Sequence, residues 1–328
     1  RVITVYFEPT QAGASYSGTV SIKSNDPDYP VFNISLSGRS IGDNAHLTGL
    51  GFSNGSSLTL SPEDTGGSLT VAHATASIKI TPTAAHSYAL IEINGNAVPS
   101  GKPSADIPLV IGNNEVTISV TSEDGKTNKT YTLTIERPDS PDASLSGLAV
   151  SCGELFPAFS PEITEYSMTL PDGVSSFTLT PTARPEEALI DSTISIGEEE
   201  LENDKPYELT AAVGKNTYTI HVLAPDNVST KKYVVKVMRL PELSGLSLDH
   251  GALDTGFSPY DLSYTAVVPN SATTIRVTPT HGADCDDCTV TVNNESADNV
   301  AELETGENTI TVRVVSSDHE TERSYTLR

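Results

Sequence analysis

The sequence predicts an all-β protein made of β-sandwiches in tandem, and three observations support this. The tetrapeptides that begin at Leu47, Leu145 and Leu243 all read Leu-x-Gly-Leu and recur every 98 residues. Short runs of alternating apolar and polar residues, rich in Val, Ile, Thr and Tyr, alternate with turns about every 8–12 residues. No segment sustains an apolar stripe of helical period for three turns. A period of this length suits a domain that encloses its own core, so three such domains are expected.

Each unit repeats the same ordered motifs after its opening tetrapeptide. A Ser-Pro is followed by Thr-Pro-Thr and then by a glycine–asparagine turn that leads into a strand. The motifs stand at Ser61-Pro62, Ser160-Pro161 and Ser258-Pro259; at Thr81 to Thr83, Thr180 to Thr182 and Thr278 to Thr280; and at Gly112-Asn113, Gly214-Lys215-Asn216 and Gly306-Glu307-Asn308. Proline at strand starts and turns costs little, because its missing N–H has no partner to lose there.

The second unit can be traced as about seven strands of an immunoglobulin-like sandwich. The predicted strands are Leu145 to Val150, Glu165 to Leu170, Phe177 to Pro181, Thr193 to Ile196, Tyr207 to Ala211, Asn216 to Leu223 and Lys231 to Met238. Their apolar members are the inward candidates: Leu145, Leu148, Tyr166, Phe177, Leu179, Ile220, Val222, Tyr233 and Val235. The first unit has Gly67 where the other two have Tyr166 and Tyr264, so its core must be filled differently.

The repeat predicts four domains. They are the C-terminal part of an immunoglobulin-like sandwich at 1–42 and three sandwiches at 43–138, 139–240 and 241–328. The links Pro138 to Asp142 and Leu240 to Glu242 are short and contain proline, which restricts bending. We therefore expect the tandem immunoglobulin-like and related sandwiches to form an elongated rod.

Charge and hydropathy exclude several function classes. The 43 acidic and 19 basic residues give a net charge of −24, which argues against nucleic acid or anionic lipid as partners. No apolar run approaches the roughly 18 residues needed to cross a bilayer, so no membrane insertion of this segment is expected. Both ends interrupt a strand pattern, and we interpret the sequence as a segment of a longer protein.

The ordered motifs resemble a known family. The Leu-x-Gly-Leu opening, the Phe-Ser-Pro at Phe159 and Phe257, the following tyrosine, Thr-Pro-Thr and the Gly-x-Asn entry together resemble the tandem cadherin-like β-sandwich repeats of bacterial surface and secreted proteins, over about 46–328. The first 40 residues resemble the closing part of a hydin/abnormal-spindle-type immunoglobulin-like domain. The matching stretches are Val5 to Thr10, Ala12-Gly13, Tyr16 to Gly18, Ser24 to Pro27 and Leu36 to Gly38.

These resemblances imply a function without catalysis. They imply an exported bacterial scaffold or adhesin located outside the cell or on its surface, in which this segment acts as a spacer or display stalk. Its partners would be other domains of the same longer chain and cell-surface glycans or proteins. The alternative is a carbohydrate-binding or accessory module of a secreted carbohydrate-active enzyme.

Cys285 and Cys288, in Cys-Asp-Asp-Cys, are the most chemically suggestive residues. A structural disulfide is favoured, because the chain looks exported. A thioredoxin-like redox pair would need a helix N-terminus in a βαβ unit, and a zinc site would have only His281 as a third ligand. Cys152 is left as a buried thiol or an intermolecular bridge.

We expect no cofactor, and calcium is the alternative that the sequence leaves open. Asp284, Asp286 and Asp287 cluster in one predicted loop, Glu198 to Glu200 with Glu202 in another, and Asp139 with Asp142 in a link. Hard cations need several converging oxygens. None of these sets matches an EF-hand loop, and the Asp-x-Asn-Asp-Asn pattern of calcium-dependent cadherins is missing.

Neither an active site nor a sugar platform stands out. The seven histidines are scattered, and the sequence contains no His-Glu-x-x-His, Gly-x-Ser-x-Gly or phosphate-binding loop. We therefore expect no enzyme activity. Sugar sites present aromatic rings, yet tryptophan is absent. The tyrosines expected to be exposed are spread over the domains: Tyr29, Tyr88, Tyr207 and Tyr260.

Overall fold

A computed structural model describes residues 2–184, 191–293 and 299–328. These residues form strands, turns and loops, with no helix among them. The chain divides into two compact units, of which one ends at Asp139 and the other begins at Ser140. The all-β prediction is confirmed.

The first unit contains twelve strands among its described residues. They are β1 (Ser15–Lys23), β2 (Val31–Arg39), β3 (Leu47–Phe52), β4 (Ser57–Thr59), β5 (Gly66–Thr70), β6 (Ser77–Ile78), β7 (Ile80–Ala84), β8 (Leu90–Ile93), β9 (Asn96–Ala97), β10 (Ile107–Pro108), β11 (Gly112–Thr121) and β12 (Asn128–Arg137).

The second unit holds the strands of the second and third repeats. They are β13 (Leu145–Val150), β14 (Glu165–Thr169), β15 (Ser176–Ala183), β16 (Thr193–Ile196), β17 (Glu199–Leu201), β18 (Tyr207–Thr210), β19 (Gly214–Leu223), β20 (Thr230–Arg239), β21 (Leu243–Leu248), β22 (Ser263–Tyr264), β23 (Thr274–His281), β24 (Thr289–Val292), β25 (Val300–Glu302), β26 (Ile310–Val315) and β27 (Glu322–Leu327).

Each repeat is a sandwich of a smaller and a larger sheet, and the larger sheets share one strand order. In the smaller sheet the opening strand lies between two others in the first repeat and at the edge in the second and third. The smaller sheets run β4-β3-β7, β13-β15-β18 and β21-β23-β25. The larger sheets run β5-β12-β11-β8-β9, β14-β20-β19-β16-β17 and β22-β27-β26-β24. In each larger sheet the first strand pairs parallel with the last strand of its repeat, and the other pairs are antiparallel. A separate antiparallel hairpin, β1-β2, precedes the first repeat.

The opening tetrapeptide and Thr-Pro-Thr pair with each other in every repeat. The second leucine lies opposite the proline: Leu50 with Pro82, Leu148 with Pro181, and Leu246 with Pro279. The register shifts before the glycine each time, as in a β-bulge. A Cβ at Gly49 would lie 3.1 Å from the carbonyl oxygen of Leu58, which explains a small residue at this close approach.

The Ser-Pro motif lies where the chain passes from one sheet to the other. Its proline carbonyl accepts hydrogen bonds from a cation and a tyrosine of the last strand: Lys231 and Tyr233 donate to Pro161, and Arg323 and Tyr325 donate to Pro259. The same tyrosines accept the amide hydrogen of the opening leucine, at 3.0 Å for Leu145 and 3.1 Å for Leu243. The motif thus joins the first and last strands of each sandwich.

The asparagine of each Gly-x-Asn holds the turn before its strand. The side chain of Asn216 accepts the amide hydrogen of Ala212 at 3.0 Å and donates to its carbonyl at 2.8 Å. Asn114 and Asn308 make the same pair of bonds with Val110 and Glu304.

The predicted core of the second repeat is observed. All nine inward candidates are buried, and Leu145, Leu179, Ile220, Val222, Tyr233 and Val235 are 0% exposed. In the first repeat Leu58 occupies the space above Gly67, because a Cβ there would lie 2.5 Å from Leu58 Cδ2. The expectation that this core is filled differently is therefore confirmed.

One expectation about local structure is wrong. Glu199 and Glu200, assigned to a loop on the basis of their charge, belong to β17, which pairs with β16 through Ile196 and Ser195. Their side chains are exposed, so a charged edge strand forms where the acidic run indicated a loop.

Candidate functional site

The contact between the second and third repeats carries the densest charge pairing in the second unit. Arg323 on β27 forms an ion pair with Asp172, which follows β14, and the Arg323 side chain is 5% exposed. Its other terminal nitrogen donates to the carbonyl of Pro259 at 3.1 Å. A guanidinium so far from water requires a charged partner. Asp172 of one repeat is therefore the counter-ion of a buried cation in the next.

A second pair crosses the same joint in the opposite direction. Arg239, the last residue of β20, donates to Asp284 Oδ2 at 2.6 Å and to the carbonyl of Ala211 at 3.1 Å. The Arg239 side chain is 13% exposed, and its own carbonyl accepts a bond from Thr321 Oγ1 at 3.3 Å. Both repeats thus supply a mostly buried arginine and an acid to the joint.

The third contact is made by the turn between β26 and β27. Asp318 Oδ2 accepts the amide hydrogen of Lys215 at 2.6 Å, and Ser316 donates to the other oxygen at 2.6 Å. Burial raises the pKa of the Asp318 carboxyl, but the hydrogen bonds outweigh it, so this pKa lies below its ordinary value. A Cβ at Gly214 would lie 2.5 Å from this carboxylate, so the turn needs a glycine opposite it.

The corresponding turn of the first repeat contacts the hairpin that precedes it. Glu123 forms an ion pair with Arg39 of β2 and accepts the amide hydrogen of Gly42 at 3.0 Å. The hydrogen bonds from Arg39, followed by that from Gly42, lower the pKa of Glu123 to about 2. Asp124 donates its amide hydrogen to Gly42 at 3.1 Å. The same turn thus contacts the preceding segment in both the first and the third repeats.

Sequence reasoning missed these joint residues, although a signal was present. The turn reads Ser-x-Asp-x-x-Thr twice, from Ser122 to Thr127 and from Ser316 to Thr321. In both copies the serine hydroxyl bonds the aspartate and the threonine backbone. The second repeat has Ala224 in place of the serine, and there the amide of Asp226 donates to Ser140 in the link at 3.0 Å.

The Cys285–Cys288 loop lies at the edge of the third core. The two sulfurs are bonded to each other in the structure, with their Cα atoms 5.0 Å apart. The residues are 2% and 8% exposed, and His281 Nδ1 lies 2.9 Å from the carbonyl oxygen of Cys285. Cys152 is a free, half-buried thiol packed against the second core. Because the two sulfurs are bonded to each other, neither is a thiolate ligand for zinc in this geometry.

The calcium candidates do not converge on one point. Asp284, Asp286 and Asp287 are all exposed, and Asp284 is paired with Arg239. Asp142 forms an ion pair with Arg184 at 2.8 Å. Over residues 2–184, 191–293 and 299–328 no group of three or more His, Cys, Asp or Glu side chains could hold a metal ion.

The four tyrosines considered for sugar binding have different surroundings. Tyr29 is 72% exposed on the leading hairpin. Tyr88, 56% exposed, lies 4.0 Å beneath the guanidinium of Arg39. Tyr207 is half-buried and bonds Glu199, and Tyr260 lies against Gly173. Among the described ring contacts no two of these tyrosines pair, so they form no platform.

Other exposed aromatic side chains were not anticipated from the sequence. They are Tyr6, Phe7, Phe32 and Phe156, between 49% and 84% exposed. Three of them belong to the first 40 residues, where the β1-β2 hairpin covers few side chains. Over the residues that the structure describes, there is no helix long and apolar enough to cross a membrane.

The model of the cadherin-like beta sandwich domain family matches residues 46–138, 144–240 and 243–328. The chain belongs to this family. Its three tandem cadherin-like repeats are the three sandwiches described above, each with a Leu-x-Gly-Leu first strand. No curated protein matches the chain.

Solved structures of tandem cadherin and titin domains are similar to this chain at low identity. Drosophila N-cadherin EC1-3 is 9% identical, covers 80% of this chain and 96% of its own, and has a TM-score of 0.31. The protocadherin gamma B7 extracellular cadherin domains 1-4 are 12% identical, with coverages of 92% and 80% and a TM-score of 0.24. The titin domains I67-I69 are 8% identical, with coverages of 86% and 98% and a TM-score of 0.27.

These comparisons indicate no catalytic family. Tandem cadherin-like domains are adhesive or structural modules, and domains of this kind are generally extracellular.

Proposed function

We propose that this chain is a non-catalytic spacer and display segment of an exported, multidomain bacterial surface protein. Its domains are the leading immunoglobulin-like part at 1–42 and cadherin-like sandwiches at 43–138, 139–240 and 241–328. Its partners are other domains of the same longer protein and the surface molecules that those domains reach.

The joint between the second and third repeats is the observation that carries this proposal. A spacer must keep the angle between its modules, and contacts between modules can hold that angle in addition to a short link. Here the mostly buried Arg323 and Arg239 pair with carboxylates of the neighbouring repeat. Bending this joint would separate both arginines from their carboxylates. Leaving a mostly buried cation unpaired costs more free energy than an exposed ion pair contributes. Charge pairs thus hold the angle.

Small-angle X-ray scattering of the full chain tests the proposal. We expect an elongated particle whose maximum dimension decreases and whose flexibility increases when Asp172 and Asp284 are both changed to Asn. The matched control is Asp287→Asn, an exposed acid of the same loop as Asp284. A compact particle, or identical scattering of the double variant and the parent, would contradict a stiff spacer.

A glycan array tests the competing carbohydrate-binding function. Specific binding that is lost on changing Tyr29 or Tyr260 to Ala would favour that function over the spacer. We expect no glycan to bind, because the exposed rings are dispersed.

A further inference from the structure

A small cavity lies inside the joint between the second and third repeats. Residues 170–174, which follow β14, line one part of it, and the remaining lining residues are Arg239, Leu240, Glu242 and Arg323. Its volume is about 10 Å³, measured as the space that the centre of a water molecule can occupy. Roughly 10–15 Å³ is enough for one water molecule. The joint cavity, as we name it, therefore has room for a single small occupant.

One hydrogen-bond donor in the joint cavity has no acceptor from the protein. The terminal nitrogens of Arg323 donate to the carbonyl of Pro259, at 3.1 Å, and to the carboxylate of Asp172. The third nitrogen, Nε, is buried and has no hydrogen-bond partner among the described residues. The Arg323 side chain is only 5% exposed, and a buried N–H without an acceptor is destabilising. The geometry therefore requires an occupant that accepts a hydrogen bond.

This donor distinguishes the third repeat from the other two. Two residues before the buried tyrosine of the last strand, the first and second repeats have Lys129 and Lys231 where the third has Arg323. The Lys231 ammonium donates to the carbonyl of Pro161 at 2.7 Å, and that of Lys129 donates to Pro62. Lysine carries all its donors on one terminal nitrogen, whereas arginine has an additional N–H at Nε. Arginine at this place thus introduces a donor that the other two repeats do not have.

The charges around the joint cavity favour a neutral occupant. Arg239 and Arg323 contribute two positive charges to the lining, and Asp172 and Glu242 contribute two negative ones. Asp284, paired with Arg239, adds a further negative charge nearby. An anion would therefore meet no net positive charge, and a cation cannot accept the Nε hydrogen. A water molecule can accept this hydrogen and donate to carboxylates in turn.

We propose that the joint cavity binds one water molecule, which accepts the Nε hydrogen of Arg323 and donates its own hydrogens to the carboxylates of Asp172 and Glu242. The water connects β27 of the third repeat with the segment after β14 of the second repeat and with the link between them. All three guanidinium nitrogens of Arg323 then have a partner. The site is a property of the joint and does not depend on the proposed spacer function.

Nuclear magnetic resonance of the full chain tests the site in solution. We expect the Nε–H of Arg323 to show a nuclear Overhauser effect to water with the sign of a long-lived bound molecule. We also expect this hydrogen to exchange with solvent roughly tenfold or more slowly than that of Arg313. Arg313 is the matched control, because its Nε donates to exposed Glu322 at 3.0 Å. Arg323→Lys assigns the signal, since it keeps the charge and removes Nε, as in the first two repeats.

A crystal structure of the same chain grown in bromide salt gives an independent measurement. We expect one isolated electron-density peak about 2.7–3.2 Å from Arg323 Nε, without anomalous scattering. An anomalous bromide peak at this place would overturn the proposal, because the site would then bind an anion. A protein acceptor in direct contact with Nε would overturn it too. The same holds for a water signal that is no stronger at Arg323 than at Arg313.

Discussion

The carboxylate of Asp172 in the second repeat is the counter-ion of Arg323 in the third, whose side chain is 5% exposed. Arg323 Nε is buried and has no hydrogen-bond partner among the described residues. The cation therefore depends on Asp172 and on the carbonyl of Pro259. Asp172 of the second repeat is thus the residue that keeps Arg323, on the last strand of the third repeat, in an ion pair.

Asp172→Asn should destabilise the second unit. The variant leaves the Arg323 charge buried without its counter-ion, and we expect a loss of about 1–3 kcal/mol in the free energy of unfolding. Chemical denaturation measures this loss. Glu322→Gln is the control, because it breaks the exposed pair with Arg313 and should cost about 0–1 kcal/mol. Equal effects of the two changes would show that the joint pair adds nothing.

Tyr166→Phe should weaken the second repeat through one hydroxyl group. The hydroxyl oxygen of Tyr166 lies 2.7 Å from the carbonyl oxygens of Ser160 and Ile163, which share its single hydrogen, and it accepts the amide hydrogen of Ser160. Its loss should cost about 1–2 kcal/mol, since the ring is buried and the partners lose a bond. Thermal denaturation measures the effect, with the partly exposed Tyr260→Phe as a control that should change little.

The first repeat should reject the tyrosine that the others require. Leu58 fills the space above Gly67, so Gly67→Tyr should overpack the core and cost about 1–3 kcal/mol. Combining it with Leu58→Ala should cost less than the sum of the two single changes. In this repeat Asp64 accepts the amide hydrogen of Ser61 at 2.6 Å, as Tyr166 accepts that of Ser160. Strict additivity would mean that the two side chains do not share this space.

Reduction should break a bridge within the third repeat. We propose that Cys285 and Cys288 are joined in the protein, and we expect its mass under denaturing conditions to rise by about two daltons on reduction. Closing so short a loop stabilises the fold by about 2 kcal/mol, so Cys285→Ser with Cys288→Ser should lower the melting temperature. The control Cys152→Ser removes the free thiol and should leave the mass change intact. A mass unaffected by reductant rules the bridge out.

Acid should weaken the contact between the leading hairpin and the first repeat. The pKa of Glu123 is about 2, below its ordinary value of 4.5. The ionised Glu123 carboxylate therefore contributes fully to the folding stability above the unfolded-state pKa. This contribution is lost as the pH falls from about 4.5 to about 2. Arg39 stays charged over this range, and His86 Nδ1 lies 4.0 Å from the carboxylate.

Thermal melts of the first unit between pH 5 and pH 2.5 measure this loss. Glu123→Gln should flatten the pH dependence, whereas Glu115→Gln, an exposed acid of β11, should not. An unchanged slope in Glu123→Gln would assign the acid sensitivity to other carboxylates.

Calcium should leave the melting temperature unchanged. Asp284 is already paired with Arg239 at 2.6 Å, so calcium would have to separate it from a mostly buried arginine to recruit it. Melts with excess calcium and with chelator measure this directly. A rise with calcium that disappears in Asp286→Asn or Asp287→Asn would restore these residues as ligands.

Period and alternation determined the fold class, the number of repeats and most strands. The predicted Leu145 to Val150 and Thr193 to Ile196 coincide with β13 and β16. This works because each strand buries one face and carries its own alternating signal. The sequence also showed that the core of the first repeat differs, because Gly67 stands at the distance from Ser-Pro where the other repeats have tyrosine.

Tertiary structure alone decided which charges meet. Asp172 and Arg323 are 151 residues apart, and neither stands out among the many acids and few bases of this sequence. Charge pairing depends on distances between loops of different domains, which no local pattern encodes. The same reason explains why the pairing of Asp284 with Arg239 was not predicted. Local sequence periodicity determined the sandwiches, and the packing of one sandwich on the next decided where their specific interactions lie.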